Sequence, residues 1–280
     1  MMDRWETRWT NNMARYSDLS CVKIILPWST PSMRFCTSEL KTAVICSELA
    51  RRFPGKKILS AIGVRRDESS ARAKMPILSP QPKLSRKTGT AGWNWNPIIE
   101  WSTEEVYRYL TETNEPLHEA YTTYGSSRVS CAFCIMGAID DLLAASTCED
   151  NASIYRLMVD LEIRSTFAFQ GNRWLGDVAP RLLGSEDLDR LAEAKKRSRL
   201  RIQAESLIPD RLLFQGGIPT IIPTQKEAEI LASVRAQVAE LLGVYVRYTD
   251  PQSIIQRYRE LLHSEEKSAV EEESLPELAF

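Results

Sequence analysis

The chain has 280 residues, enough for one large α/β domain or for such a domain with a helical appendage. Its 36 lysines and arginines nearly cancel 37 aspartates and glutamates, so no global field draws it to nucleic acid or membrane, and any such binding must be local. No apolar run approaches the roughly 18 residues that span a bilayer, and Met1-Met2-Asp3-Arg4 does not open a signal peptide. A cytoplasmic chain is expected, with cysteines that are reduced thiols or metal ligands rather than a disulfide framework.

Trp5, Trp9 and Tyr16 stand at loose helical spacing and predict a helix packed on a sheet. Cys21-Val22-Lys23-Ile24-Ile25-Leu26 reads as a strand closed by Pro27. Thr37 or Ser38 is placed to cap a helix with an apolar stripe of Leu40, Val44, Ile45 and Leu49, ended by Pro54-Gly55. Residues 57–62 read as the next strand. Segment 75–92, rich in Pro, Lys, Arg, Ser and Gly, predicts a long connection that is mobile until something binds, and 94–99 a short extended piece. Ser102-x-x-Glu105 is a capping box opening a helix with Val106, Tyr109 and Leu110.

Past Gly137 the pattern turns helical. One stripe is Ile154, Leu157, Met158 and Leu161, and another is Leu231, Val234, Val238, Leu241 and Leu242. Pro251 opens a last helix expected to end near Leu262. The reading gives an α/β domain over residues 1–140, a helical region over 141–263, and an acidic disordered tail over 264–280.

The chemistry concentrates after residues 58–62. This apolar run reaches Gly63 and turns abruptly to charge, the form of a buried parallel strand delivering a functional loop at its carboxyl end. Gly63 lets backbone approach a ligand closely. Arg65 and Arg72 carry forks of donors suited to phosphate or sulfate, and Glu68 can orient one of them or accept from a ribose or base. A solvated loop with a surface ion pair accounts for the same residues equally well. Arg34 and Lys41 flank a helix start, a natural anion site, though a capped amphipathic helix with surface charges also fits.

Cys131-x-x-Cys134 has metal-ligand spacing, because two thiolates from one turn bind a single soft centre, and Cys36 and Cys148 can complete four ligands. A pair of buried thiols is the alternative. Cys21 and Cys46 read as core residues, and His118 and His263 as isolated structural or surface groups. The basic run Lys195-Lys196-Arg197-Ser198-Arg199-Leu200-Arg201 reads as a solvated helix face, with a salt-sensitive nucleic-acid contact as the alternative.

Four segments taken together are more specific than any one. They are Arg34-Phe35-Cys36-Thr37-x-x-Leu40-Lys41, Gly63-x-Arg65-x-x-Glu68-Ser69-x-x-Arg72, Asn96-Pro97-Ile98 with Trp101-Ser102-x-Glu104-Glu105-Val106, and Arg128-x-x-Cys131-x-x-Cys134. Over about residues 20–150 the chain resembles the phosphoadenosine-phosphosulfate reductase-like family of adenine-nucleotide alpha hydrolases. Its nearest look is to the branch that includes the DNA-phosphorothioation sulfur-transfer subunit.

The resemblance implies an α/β fold: a truncated, doubly wound, mostly parallel sheet followed by a helical C-terminal region. It implies ATP or an adenylyl-sulfate nucleotide bound at the carboxyl ends of the strands. Arg34 and Lys41 would face phosphate or sulfate. Gly63, Arg65, Glu68, Ser69 and Arg72 would line the nucleotide pocket and Arg128 would join them. Arg65, Arg72 and Lys41 would stabilise charge during transfer. In the phosphorothioation-like branch the cysteines hold a four-iron four-sulfur cluster, which favours that over zinc at Cys36, Cys131, Cys134 and Cys148.

The family's opening strand and Ser-Gly-Gly-x-Asp-Ser phosphate loop have no counterpart here, and Gln215-Gly216-Gly217-Ile218-Pro219 stands in the wrong place to replace them. The resemblance therefore implies that the chain is a fragment, that another polypeptide supplies that loop, or that catalysis is lost. No Glu-Cys-Gly-x-His segment occurs, which argues against thioredoxin-linked reduction. Two functions are expected. One is adenine-nucleotide-dependent sulfur transfer or adenylylation with a sulfur-donor protein, and the other is a non-catalytic nucleotide- or partner-binding module.

Overall fold

The computed structural model describes residues 1–87, 89–215 and 217–273, and the side chains of 264–273 fall outside that description. Two units divide the chain: Ser29–Cys131, and Met1–Trp28 together with Ala132–Phe280. The sequence pattern sets the boundary near residue 140 and gives the opening helix to the α/β part, whereas contacts set it after Cys131 and give that helix to the helical part.

Helix α1 (Met2–Ser17) belongs to the helical unit. The unit of residues 29–131 holds α2 (Phe35–Thr37), a π-helical segment Ser38–Ala43, α3 (Val44–Arg52), α4 (Ser70–Ala73), α5 (Thr103–Glu112) and α6 (Glu119–Thr122). Its strands are β1 (Lys57–Ala61), β2 (Leu78–Pro80) and β3 (Ala91–Trp95). The helical unit resumes with α7 (Ile139–Thr147), α8 (Ala152–Ser165), α9 (Ser185–Glu205), α10 (Gln225–Leu242) and α11 (Pro251–Glu273).

The sheet is small and mixed, in a mostly helical chain, rather than the mostly parallel doubly wound sheet expected. β1 runs parallel to β3, with Lys57 opposite Ala91 and Ala61 opposite Trp95, and β2 pairs antiparallel on the other side of β3, giving the order β1-β3-β2. Segment 75–92, expected as a long connection, supplies β2, a 3-10 turn at Pro82–Leu84 and the start of β3. That turn is fastened because Leu84 is buried against Gly92, where a Cβ would stand 2.4 Å from the leucine side chain. The buried Asn96 closes the far end, its Nδ2 donating to Pro76 O at 2.8 Å and its N–H to Ile77 O at 2.8 Å.

The helix after Arg34 starts at Phe35, and neither Thr37 nor Ser38 caps it with a side chain. Its buried residues are Phe35, Cys46 and Ala50, while Val44 and Ile45 of the predicted stripe are 57% and 55% exposed. The π-helical segment is the physical reason: a wider turn changes the phase of every later side chain relative to a regular 3.6-residue pattern. The capping box forms as expected, with Glu105 N–H donating to Ser102 Oγ at 3.1 Å and Ser102 N–H to Glu105 Oε2 at 2.6 Å.

In the helical unit α1 packs on helix and aromatic neighbours, not on a sheet. Trp5 meets Trp28 edge-on at 5.2 Å between ring centroids, and Trp28 meets Phe169 at 5.3 Å. Residues 21–26 form no strand. Their peptide groups are satisfied by side chains instead: Asn12 Nδ2 donates to Ile25 O and Leu26 O, and Ile24 N–H donates to Glu205 Oε1 at 3.1 Å. Arg235 on α10 is fully buried and donates to Tyr16 O at 2.8 Å and Ser17 O at 3.1 Å. It thereby places a cation on the last carbonyls of α1.

Met158 and Leu161 of the first predicted stripe are buried, but Leu157 faces solvent and Tyr155 and Glu162 complete the inner face of α8. Leu231, Val234 and Val238 are buried as the second stripe predicts, with Leu241 and Leu242 half-buried. α11 continues past Leu262 to Glu273, and the rest of the predicted tail, residues 274–280, lies outside the described residues. Among the described residues no helix is long and apolar enough to cross a membrane.

Glu162 anchors the segment after α8. Its Oε1 accepts from Phe169 N–H and Leu175 N–H, each at 2.8 Å, and its Oε2 from Gly176 N–H at 3.1 Å. Burial raises its pKa to about 7 against these three donors, which favour the ionised form. A carboxyl whose folded pKa lies above its unfolded value stabilises the fold most below the unfolded pKa. That contribution is lost as pH rises through the folded one. Denaturant midpoints should therefore decline between about pH 4.5 and 7, and Glu162→Gln should remove that slope. An unchanged slope in the variant would assign the decline to other groups.

Candidate functional site

Parallel pairing sends the carboxyl ends of β1 and β3 to the same end of the sheet, so the loops that follow them meet. Ile62 N–H continues the ladder to Trp95 O at 2.8 Å, and Arg66 N–H reaches Ile99 O at 2.9 Å. Arg66 then fastens the loop twice with its side chain, donating from Nε to Glu100 Oε1 at 2.9 Å and from Nη1 to Ala73 O at 2.6 Å.

On this frame lies a network of charges. Arg65 Nη1 donates to Asp67 Oδ2 at 3.0 Å and to Thr103 Oγ1 at 2.9 Å, and Thr103 Oγ1 donates to the same Asp67 oxygen at 3.1 Å. Arg65 Nε lies 3.5 Å from Glu68 Oε1, while the other Glu68 oxygen is paired with Arg72. Ser69 Oγ accepts from Arg72 N–H at 3.2 Å and so caps α4. The structure thus gathers Arg65, Glu68, Ser69 and Arg72, the four polar residues named from the loop. It adds Asp67, Arg66, Glu100 and Thr103, which sequence reasoning did not name. Asp67 lies in the same run of charge, but Thr103 sits at the first position of α5 and carries no local signal of a tie to Arg65.

Arg34 and Lys41 are exposed, and among the described residues neither is tied to the loop by a hydrogen bond or ion pair. Lys83, an unforeseen cation, donates to Ser38 O at 3.1 Å on the π-helical segment between them. Arg128 is exposed, and the turn beside it is held by Val129 N–H donating to Tyr121 OH at 3.3 Å.

All six cysteines are free thiols, with Cys21 and Cys46 buried as core residues. Cys36 and Cys131 belong to one unit, Cys134 and Cys148 to the other. Among the described residues no group of three or more His, Cys, Asp or Glu side chains is gathered to hold a metal ion. Cys134 nevertheless sits in a well-built turn. Met136 N–H points at its Sγ at 3.4 Å, Gly137 N–H donates to its carbonyl at 2.8 Å, and Gln170 Nε2 donates to Ile135 O and Gly137 O, each at 2.9 Å.

The basic run on α9 is largely engaged within its own unit. Lys195 pairs with Asp177, Lys196 with Glu193, and Arg197 donates to Leu241 O. Arg201 is buried on Glu205 and over the Phe167 ring. Arg199 alone of the five cations keeps an exposed side chain with no such tie among the described residues. His118 is structural, its Nδ1 accepting from Ala120 N–H at 3.0 Å to cap α6.

Residues 29–136 match the phosphoadenosine phosphosulfate reductase domain. The matched stretch coincides closely with the unit that carries the sheet and the Arg65 network. Over 72 residues the chain is 36% identical to a phosphoadenosine 5'-phosphosulfate reductase of Aliivibrio salmonicida and 31% identical to one of Vibrio cholerae serotype O1. Each similarity covers 24% of this chain and 25% of the relative, so the chain spans about a quarter of the length of the curated relatives it matches. No solved structure matches it.

Gly63 separates the needs of the fold from those of a ligand. Its φ is not in the left-handed region, and a Cβ there would meet only Ile98 Cδ1 at 3.8 Å, an ordinary contact. Gly63→Ala should therefore leave the melting temperature within about 2 °C of the parent, yet weaken any ligand whose phosphate or ribose lies over the end of β1. Thermal melts beside ligand titrations check both halves, and a variant that binds as the parent does would clear this glycine of a binding role.

Proposed function

We propose that the unit of residues 29–131 binds an adenine nucleotide bearing phosphate or sulfate, and that the protein uses it in sulfur transfer or adenylylation. The observation that carries this reading is the Arg65–Glu68–Arg72 network at the carboxyl ends of two parallel strands, inside the stretch that matches the reductase domain. Ligands of open α/β sheets lie at that end. In this proposal Arg65 and Arg72 balance the charge that develops on a transferred phosphoryl, adenylyl or sulfuryl group. Glu68 fixes both guanidinium groups, Arg34 and Lys41 face the distal anion, and Arg128 closes the nucleotide side.

Cys131 and Cys134 fit a soft metal or iron–sulfur centre by their spacing and by the Met136 N–H directed at Cys134 Sγ. Cys36 and Cys148 are the proposed remaining ligands. When bound, such a centre supplies a sulfur-binding or electron-holding group. The nearer kinship to the DNA-phosphorothioation branch, a sulfur-donor protein and a subunit supplying a phosphate loop belong to the same proposal. A binding-only module is the second reading, favoured by the pairing of both Arg65 and Arg72 with carboxylates, which lowers the field available to an incoming anion.

Calorimetric titration of the full chain with ATP and with adenosine 3',5'-bisphosphate tests the nucleotide site. Combined Arg65→Ala and Arg72→Ala should weaken binding about tenfold or more without unfolding the protein. Equal affinity in parent and variant would remove the assignment. Binding without turnover in the presence of sulfur donors would select the module.

For the thiols, anaerobically purified protein should contain iron, and should lose it in Cys131→Ser and Cys134→Ser. Zinc in its place would decide for zinc, and protein free of both metals would reject the centre.

A further inference from the structure

We propose that Thr103 is a positioning residue of the nucleotide site, holding the Arg65 guanidinium in one plane so that its Nη2 edge meets the anionic end of the ligand. This inference rests on the nucleotide reading above and adds to it a residue outside the loop. The Thr103 hydroxyl works in both directions: it accepts from Arg65 Nη1 at 2.9 Å and donates to Asp67 Oδ2 at 3.1 Å, while Arg65 Nη1 also donates to that oxygen at 3.0 Å. Three side chains close a ring in which each polar hydrogen has one place to go.

The ring is not what holds the loop. Arg66 already fastens it through its amide to Ile99 O and through its side chain to Glu100 and Ala73 O. What the ring fixes is the arginine. Its Nε faces Glu68, both Nη1 hydrogens are taken by Asp67 and Thr103, and its side chain is only 15% exposed. Nη2 is the one nitrogen of this guanidinium that no acceptor among the described residues engages. A free arginine would lose its rotamer freedom on gripping an anion, whereas this one has lost it already, so the affinity of the pair is not reduced by ordering. Nη2 then offers its N–H donors in fixed positions, which suits a phosphate or sulfate oxygen.

The test uses the full chain, with adenosine 3',5'-bisphosphate and plain adenosine as probes. Thr103→Val keeps the shape and removes the hydroxyl, and Thr103→Ser keeps the hydroxyl. T103V should bind the bisphosphate about tenfold more weakly, bind adenosine as the parent does, and melt at the parent temperature, and T103S should restore bisphosphate affinity. Parent-like bisphosphate binding by T103V would overturn the positioning role and leave the nucleotide reading standing. Equal loss of both probes would also overturn it, since that is the mark of a general structural defect. A parent protein that binds neither probe would overturn both together.

Discussion

The parallel pairing of β1 with β3 is the constraint on which the candidate site depends. An antiparallel partner would send the loop after β3 to the opposite end of the sheet. With the two strands parallel and in register from Lys57 opposite Ala91 to Ala61 opposite Trp95, residues 63–73 and 96–103 leave the same end. The first hydrogen bonds beyond the ladder, Ile62 to Trp95 and Arg66 to Ile99, carry the register into the loops. Arg65 therefore arrives beside Thr103, 38 positions away in sequence. β2, added antiparallel on the far side of β3, and the Leu84–Gly92 contact fix β3 from the other face.

Both units pair charges near solvent, and the helical unit adds charged groups held inside its core. In the unit of residues 29–131 the arginines are compensated by carboxylates near solvent, where each pair contributes little stability. Their value there lies in orientation. In the helical unit two buried charged side chains are satisfied mainly by backbone: Glu162 by three N–H groups, Arg235 by the carbonyls of Tyr16, Ser17 and Tyr248. Buried groups held this way are costly to disrupt, because removing one partner leaves others unsatisfied in a region of low polarity. They explain how α1 and the irregular segment behind it become part of a core built from residues far downstream.

Elements whose information is local were legible. The capping box at Ser102 and Glu105 formed as written, because both partners lie within one turn. The strand before Gly63 is β1, parallel to β3 as expected though none of its residues is buried, and the stripe through Leu231, Val234 and Val238 is buried. The failures share a different cause. Residues 21–26 have the composition of a strand, but a strand requires a partner edge, and Asn12 and Glu205 satisfy the backbone first. The stripe at Val44 and Ile45 assumes a regular helix, and the π-helical turn before it rotates those residues outward. Segment 75–92 looks like a linker by composition, yet it gains β2 from a register that only β3 can offer.

By itself the sequence determined the residue types and the local periods: a charged loop carrying Arg65, Glu68 and Arg72 after an apolar strand, two thiols at Cys131 and Cys134, and a helical C-terminal half. Those follow from chemistry and from distances along the chain. Only the tertiary structure decided that Asp67 and Thr103 hold Arg65, that Gln170 supports the turn of Cys134, and that the opening helix packs with the helical unit. Each of these rests on a hydrogen bond or contact between residues that share no helical or strand period, and a one-dimensional pattern carries no record of such a meeting.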